Sequence, residues 1–410
     1  MKLALASSLA LVGAASAATS GPYNLGVSNS GFETGVLNAT LLCNVTSTGL
    51  NLKNQQILFG VAAILPNRVD ATQSFNVIAG TRLIVPASIN NLAYGFGARY
   101  YAGNATKVIV NAQGSTPAFI DAATKPLPIP SAPVVSGGVS VLEVPGKGGV
   151  ITVGPFKAAS ANSNIVFSFG DIAAVVKTYN ATGGATFLVA NIACPAQARP
   201  ASLAFVASGG AGSTNIVTPS GGGAITTIPI NSTAGSTGYT YSCTFDGIGT
   251  SPITLSVAGA KTNNAAVASG SNVALSLGQG QIFVEKALTD LFIAKYPTAN
   301  GYKLNVTTLN FLASGASPAS KNGVPSTGYA TPITPVSSTT TALTIPDGAP
   351  TNTLPDISFT AGASGGTALL SLGSAGGIVT IYSGNAVVGT SAFSCPALSP
   401  ATPIFPFDIQ

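Results

Sequence analysis

The chain has 410 residues, no histidine, no tryptophan, four cysteines and a formal net charge of +5. Without histidine the usual general base near neutral pH is missing, and with it the Ser-His-Asp and Cys-His arrangements and the commonest zinc ligand. Only 7% of residues are charged, and the cations are scattered without a run, which argues against a nucleic-acid footprint of clustered positive charge.

The opening residues, MKLALASSLALVGAASA, predict a secretory signal over 1–17. Lys2 gives the positive start, Leu3 to Val12 the apolar stretch, and Ala15-Ser16-Ala17 the small-residue cleavage pattern. The apolar stretch is too short to span a bilayer, and the C-terminal TPIFPFDIQ is too short and too Pro-interrupted for a lipid-anchor signal. The expected location is secreted, extracellular or cell-wall associated, with no membrane anchor. Loss of Lys2 with the signal lowers the net charge from +5 to +4.

The four cysteines stand at 43, 194, 243 and 395, so 194 − 43 = 151 and 395 − 243 = 152, while 243 − 43 = 200 and 395 − 194 = 201. This is the spacing of a duplicated domain with a cysteine at each end. It favours Cys43–Cys194 and Cys243–Cys395, against a rival Cys194–Cys243 staple across the linker. In an oxidising compartment neither arrangement leaves a reactive thiol.

Within the first copy, placed at 18–200, RLIVPASINNLAYGFGARYYAGNATKVIVNA reads as strand, short helix, loop and strand. Pro86 suits the helix start, and Ile89, Leu92 and Phe96 share a face. KPLPIPSAPVV near 125–135 reads as extended chain, and SNIVFSFGD leads through Gly-rich turns to the first Cys-Pro-Ala. A Gly/Ser/Thr-rich linker is expected at 201–235. In the second copy, 236–410, QIFVEKALTDLFIAKYPTANGYKLNVTTL repeats the strand–helix–strand pattern, with Leu288, Leu291 and Phe292 on one helix face. ATPITPVSS, LPDISFTAG and the second Cys-Pro-Ala then follow in the same order. Many short β-branched runs such as VITVGPF, VALSL and GIVTIYSG, bounded by turn residues, predict an all-β chain of two tandem sandwiches. Each carries a short helical insertion.

The strand bearing the first cysteine (YSCTF, LLCNV), the TLSVAG-type strand, the short helix, the Pro-rich segment, ISFTAG and the final cysteine strand resemble a tandem secreted domain common in actinobacterial exported proteins. The resemblance covers roughly residues 35–397 and fits the second copy better. It implies an Ig-like β-sandwich and a cell-envelope setting, and it supplies no catalytic residues.

Six sequons, at Asn38, Asn44, Asn104, Asn180, Asn231 and Asn305, fit a glycosylated eukaryotic product. Aromatic faces with polar neighbours suit sugar contact, and the best cluster holds Tyr94, Phe96, Arg99, Tyr100 and Tyr101. Phe292, Tyr296 and Tyr302 form its counterpart. The eleven acids fall mostly beside turn signals, which argues against a paired-carboxylate hydrolase. No calcium-loop pattern, phosphate loop or dinucleotide fingerprint is present, so no metal and no cofactor are expected.

The expectation is a non-catalytic, glycosylated structural or adhesive protein of a fungal or fungus-like surface. A polysaccharide-binding module using Tyr94, Tyr100, Tyr101, Tyr296 and Tyr302 is the alternative, and a polysaccharide hydrolase the third reading. Partners would be wall polysaccharide, extracellular protein or further copies of the chain.

Overall fold

In a computed structural model of the chain, the described residues are 19–20, 23–24, 32–146, 149–182, 184–211, 224–225, 228–229, 232–261, 263–347 and 352–410. The signal expected at 1–17, the sequon at Asn231 and the middle of the linker lie outside them. Among the described residues the fold is all-β, with two short helices.

The first copy opens on a hairpin of Phe32–Ser47 and Leu50–Leu65, whose second strand pairs with Ser74–Val85. Helix α1 (Ala87–Gly95) then carries the chain to the opposite layer, where Tyr100–Gln113 pairs with the long strand Asn164–Tyr179. The Cys-Pro-Ala strand Thr186–Cys194 pairs with the long strand and, over Asn191–Ala193, with the opening strand. The two layers are thus joined along one edge beside the disulfide. Along the other edge Ile151–Ala158 bridges Ser74–Val85 to Ser115–Thr116.

The second copy repeats this order. Thr233–Phe245, Gly249–Lys261 and Asn272–Val284 form one layer; helix α2 (Lys286–Lys295) follows; Gly301–Ser314, Thr367–Ser383 and Ala386–Cys395 form the other. Its edges close at Thr244–Phe245 against Phe393–Ser394 and at Ala316–Ser317 against Thr360–Ala361. Both Pro-rich segments are edge strands: Leu127–Pro133 and, in shorter pieces, Tyr329–Ala330 and Thr334–Pro335.

Alternation explains the two cores. Ala39, Leu41, Cys43 and Val45 point inward from the opening strand, while Leu42 between them is 46% exposed. Phe59 meets Phe169 edge-on at 4.8 Å in the first sandwich, and Phe245 stacks on Phe393 at 5.5 Å in the second. In the long strand the inward set runs Ile165, Phe167, Phe169 and then Ile172, Ala174, Val176. A bulge at Gly170-Asp171 resets the alternation there, turning Asp171 outward. Glycine is needed at 170, where a Cβ would lie 2.7 Å from Ile109 Cγ2.

The helices are anchored differently. Leu288 and Phe292 of α2 are fully buried, with Phe292 5.7 Å from the Tyr302 ring. In α1 the buried residue is Asn90, whose amide donates to Val85 O and Gly138 O and whose Oδ1 accepts from Tyr101 Oη at 3.0 Å. Phe96, expected on the inner face, is 57% exposed: the helix ends at Gly95, and Ala93 occupies the place that Phe292 fills in α2.

The linker is shorter than the expected 201–235. Ala204–Gly209 is a strand of the first copy, antiparallel to Asn164–Phe167 and parallel to Arg68–Asp70. Thr402–Asp408 does the same in the second copy against Thr367–Leu372, with a parallel bridge between Val267 and Ile409. Composition hid the first of these strands, because AFVASG is buried throughout and does not alternate. Farther along, Ile228–Pro229 and Ala224–Ile225 pair with Thr19–Ser20 and Tyr23–Asn24.

The two copies are joined by strand pairing. Thr233 faces Leu37 and Ala234 faces Val36, antiparallel. With the 243 − 43 = 200 offset, Thr233 is the counterpart of residue 33 and Leu37 that of Thr237. Equivalent strand starts therefore pair head to head, the arrangement of two bodies about an approximate two-fold. An asparagine clasp follows the same symmetry. Asn67 Nδ2 donates to Gly238 O at 2.8 Å, and Asn264 Nδ2 donates to Asn38 O, the matching carbonyl of the other copy. Arg68 reaches Ser399 O at 2.7 Å across the same boundary.

Candidate functional site

The disulfides are Cys43–Cys194 and Cys243–Cys395, all four cysteines being buried. Each ties the Cys-Pro-Ala strand of a sandwich to its opening strand, and Pro195 and Pro396 follow where that strand's ladder stops for want of an N–H. The Cys194–Cys243 alternative is excluded by these bonds.

Several of the carboxylates are held in structural contacts. Asp121 Oδ1 accepts from Val108 N and Ala123 N; Asn322, 201 residues on, accepts from Leu309 N and Val324 N in the same way. An amide serves as well as an acid at that turn, so the position needs an acceptor and no charge. Asp171 takes Lys107 Nζ at 2.6 Å and Ala196 N at 2.8 Å, and the lysine hydrogen bond is the main cause that holds its carboxyl below the usual range. Asp290 pairs with Lys286 along α2. Among the described residues no group of three His, Cys, Asp or Glu side chains is placed to hold a metal ion. Nor, among them, is any helix long and apolar enough to cross a membrane.

The aromatic residues expected at a sugar site divide. Tyr101 and Tyr302 are core residues, 4% and 0% exposed, so neither ring offers a face to a polysaccharide. Burial pushes the Tyr101 hydroxyl up to about 12. Tyr100 and Tyr296 are half-buried, and Tyr94 and Phe96 are exposed at the end of α1. There the Arg99 guanidinium lies 3.7 Å over the Tyr94 ring and donates to Tyr94 O.

The sequons divide too. Asn104 and Asn180 are exposed, while Asn44 and Asn305 are half-buried in strands. Asn38 is completely buried in the junction, which removes it as a glycan carrier in the folded chain.

Two clefts flank the junction in places related by the approximate two-fold. The larger, about 480 Å³, lies between the Gln197–Ser202 segment after the first Cys-Pro-Ala, the Asn263–Ala266 loop, and Gly365–Thr367 with Asp408. The smaller, about 350 Å³, pairs Pro400–Ala401 after the second Cys-Pro-Ala with Asn162–Asn164 of the first copy. At the larger cleft Asp408 accepts from Ser202 N at 2.6 Å and Ser202 Oγ at 2.5 Å. Behind it Lys261, 1% exposed, donates to Ser202 O and Pro406 O and lies 4.9 Å from the Phe407 ring centre. Burial lowers the Lys261 ammonium to about 8, with Asp408 acting in the opposite sense. These residues gave no signal in the sequence: 197–202 and 263–266 carry no motif, and only the two-fold packing brings them together.

No family model, curated protein or solved structure matches the chain.

Proposed function

We propose that the protein is a non-catalytic, secreted glycoprotein that acts as a rigid structural or adhesive unit of the extracellular surface or cell wall. The observation that carries this reading is the junction. Two disulfide-closed sandwiches share paired strands and a symmetric asparagine clasp, so their outer faces are held at a fixed mutual orientation. The low charge, the signal-like start and the exposed sequons at Asn104 and Asn180 support a secreted, glycan-bearing surface. The resemblance to exported envelope domains points to the same setting.

Fractionation tests it. Epitope-tagged protein is expected in the wall fraction, resistant to detergent extraction and released by wall-degrading enzymes or reductant. Quantitative recovery as a free monomer in the medium contradicts it.

The polysaccharide-binding alternative rests on the exposed Tyr94 and Phe96 at the tip of α1. It predicts pull-down on chitin or glucan that Tyr94→Ala with Phe96→Ala abolishes while the fold is intact. Unchanged retention by that variant removes the reading.

A further inference from the structure

We propose that the larger junction cleft is a binding site for an acidic saccharide, a uronate-bearing oligosaccharide whose carboxylate pairs with Arg199. The proposal goes beyond the scaffold role and does not depend on it.

Size and rigidity come first. At about 480 Å³ the cleft falls in the range of small-molecule sites, and its walls come from two bodies locked by the clasp. A site whose walls are already fixed loses little ordering entropy when a ligand enters.

Charge and hydrogen bonding give the class of ligand. Arg199 is exposed at the cleft and has no ion-pair or hydrogen-bond partner among the described residues. A guanidinium with free donors matches a carboxylate in a bidentate fashion. The acid in the same cleft does not fill that role, because both Asp408 oxygens are engaged by Ser202. Two amides line the same cleft, each with one end hydrogen-bonded. Gln197 Nε2 is held by Thr40 O at 3.3 Å, leaving its Oε1 open; Asn263 Oδ1 is held by Ala265 N at 2.9 Å, leaving its Nδ2 open. One free acceptor and one free donor suit hydroxyls, which do both.

The lining also decides against the usual neutral-sugar mode. Among the described residues Phe169 is the one aromatic lining the cleft, and it is buried at 8% exposure, so it offers no ring face for stacking. Recognition must come from hydrogen bonds and charge. The smaller cleft is a built-in control, since among the described residues it is lined by Asn162, Asn164 and Ser314 but by no cation.

Calorimetric titration of the full chain with trigalacturonate, and with cellotriose as the neutral comparator, tests the site. One-to-one binding of trigalacturonate is expected, with cellotriose at least about tenfold weaker. Arg199→Gln should weaken the acidic ligand by about tenfold or more and Asn263→Ala by severalfold. Asn164→Ala in the smaller cleft should leave it unchanged, with thermal unfolding confirming that each variant is folded. Absence of saturable binding at millimolar ligand, equal affinity for cellotriose, or full affinity in folded Arg199→Gln overturns the proposal.

Discussion

Lys261 is the residue at which the junction is most open to a chemical test. Its native state releases a proton near pH 8, whereas a solvated lysine does so near 10.5. Between those values the unfolded chain binds more protons, so stability rises with pH as the desolvation cost of the charge is relieved. The stability difference between the wild type and Lys261→Met should therefore move in favour of the wild type by about 2 kcal/mol from pH 7.5 to 10. A flat difference in urea unfolding over that range contradicts the buried-cation account. At the same scale, glycopeptide mapping should find Asn104 and Asn180 occupied and Asn38 bare. A glycan on Asn38 is incompatible with the paired junction, because that side chain has no route to solvent.

At the scale of elements, the two helices occupy the same place by different means. Phe292→Ala removes a fully buried ring from under α2 and should cost about 3–5 kcal/mol. Phe96→Ala, on an exposed ring at the end of α1, should change stability by no more than about 0.5 kcal/mol. Chemical denaturation of the two variants side by side separates the two predictions. The helices also show which parts of the fold the sequence discloses. Apolar spacing at Leu288 and Phe292 marks the buried face of α2. In α1 Ile89 and Ala93 pack against the core, but the fully buried anchor is Asn90 bonded to Tyr101, a polar pair that hydropathy reads as surface. Strands were legible wherever inward and outward residues alternate, as in Ala39 to Val45. The buried AFVASG strand lacks that alternation, and its composition matches a linker. Spacing alone paired the cysteines, since 151 and 152 residues separate the members of each pair. Loss of one bridge, by Cys243→Ser with Cys395→Ser, should destabilise the protein by about 2–5 kcal/mol in reducing-agent-free denaturation.

At the scale of the molecule, duplication accounts for more than two similar halves. Equivalent strand starts meet head to head, matching asparagines reach matching carbonyls, and paired clefts form where the copies diverge. The sequence concealed this arrangement for a physical reason. The contact surface includes Thr233, Ala234, Ser236, Thr237, Ala258 and Ala260, small residues with no hydropathy signal, and the first two fall in the stretch that composition assigns to a flexible linker. Rigid coupling of the sandwiches can be measured by differential scanning calorimetry of the full chain. The wild type should unfold in one cooperative transition, and Asn67→Ala with Asn264→Ala should split it into two. Two separate transitions in the wild type, unmoved by the clasp substitutions, would show that the copies are independent bodies.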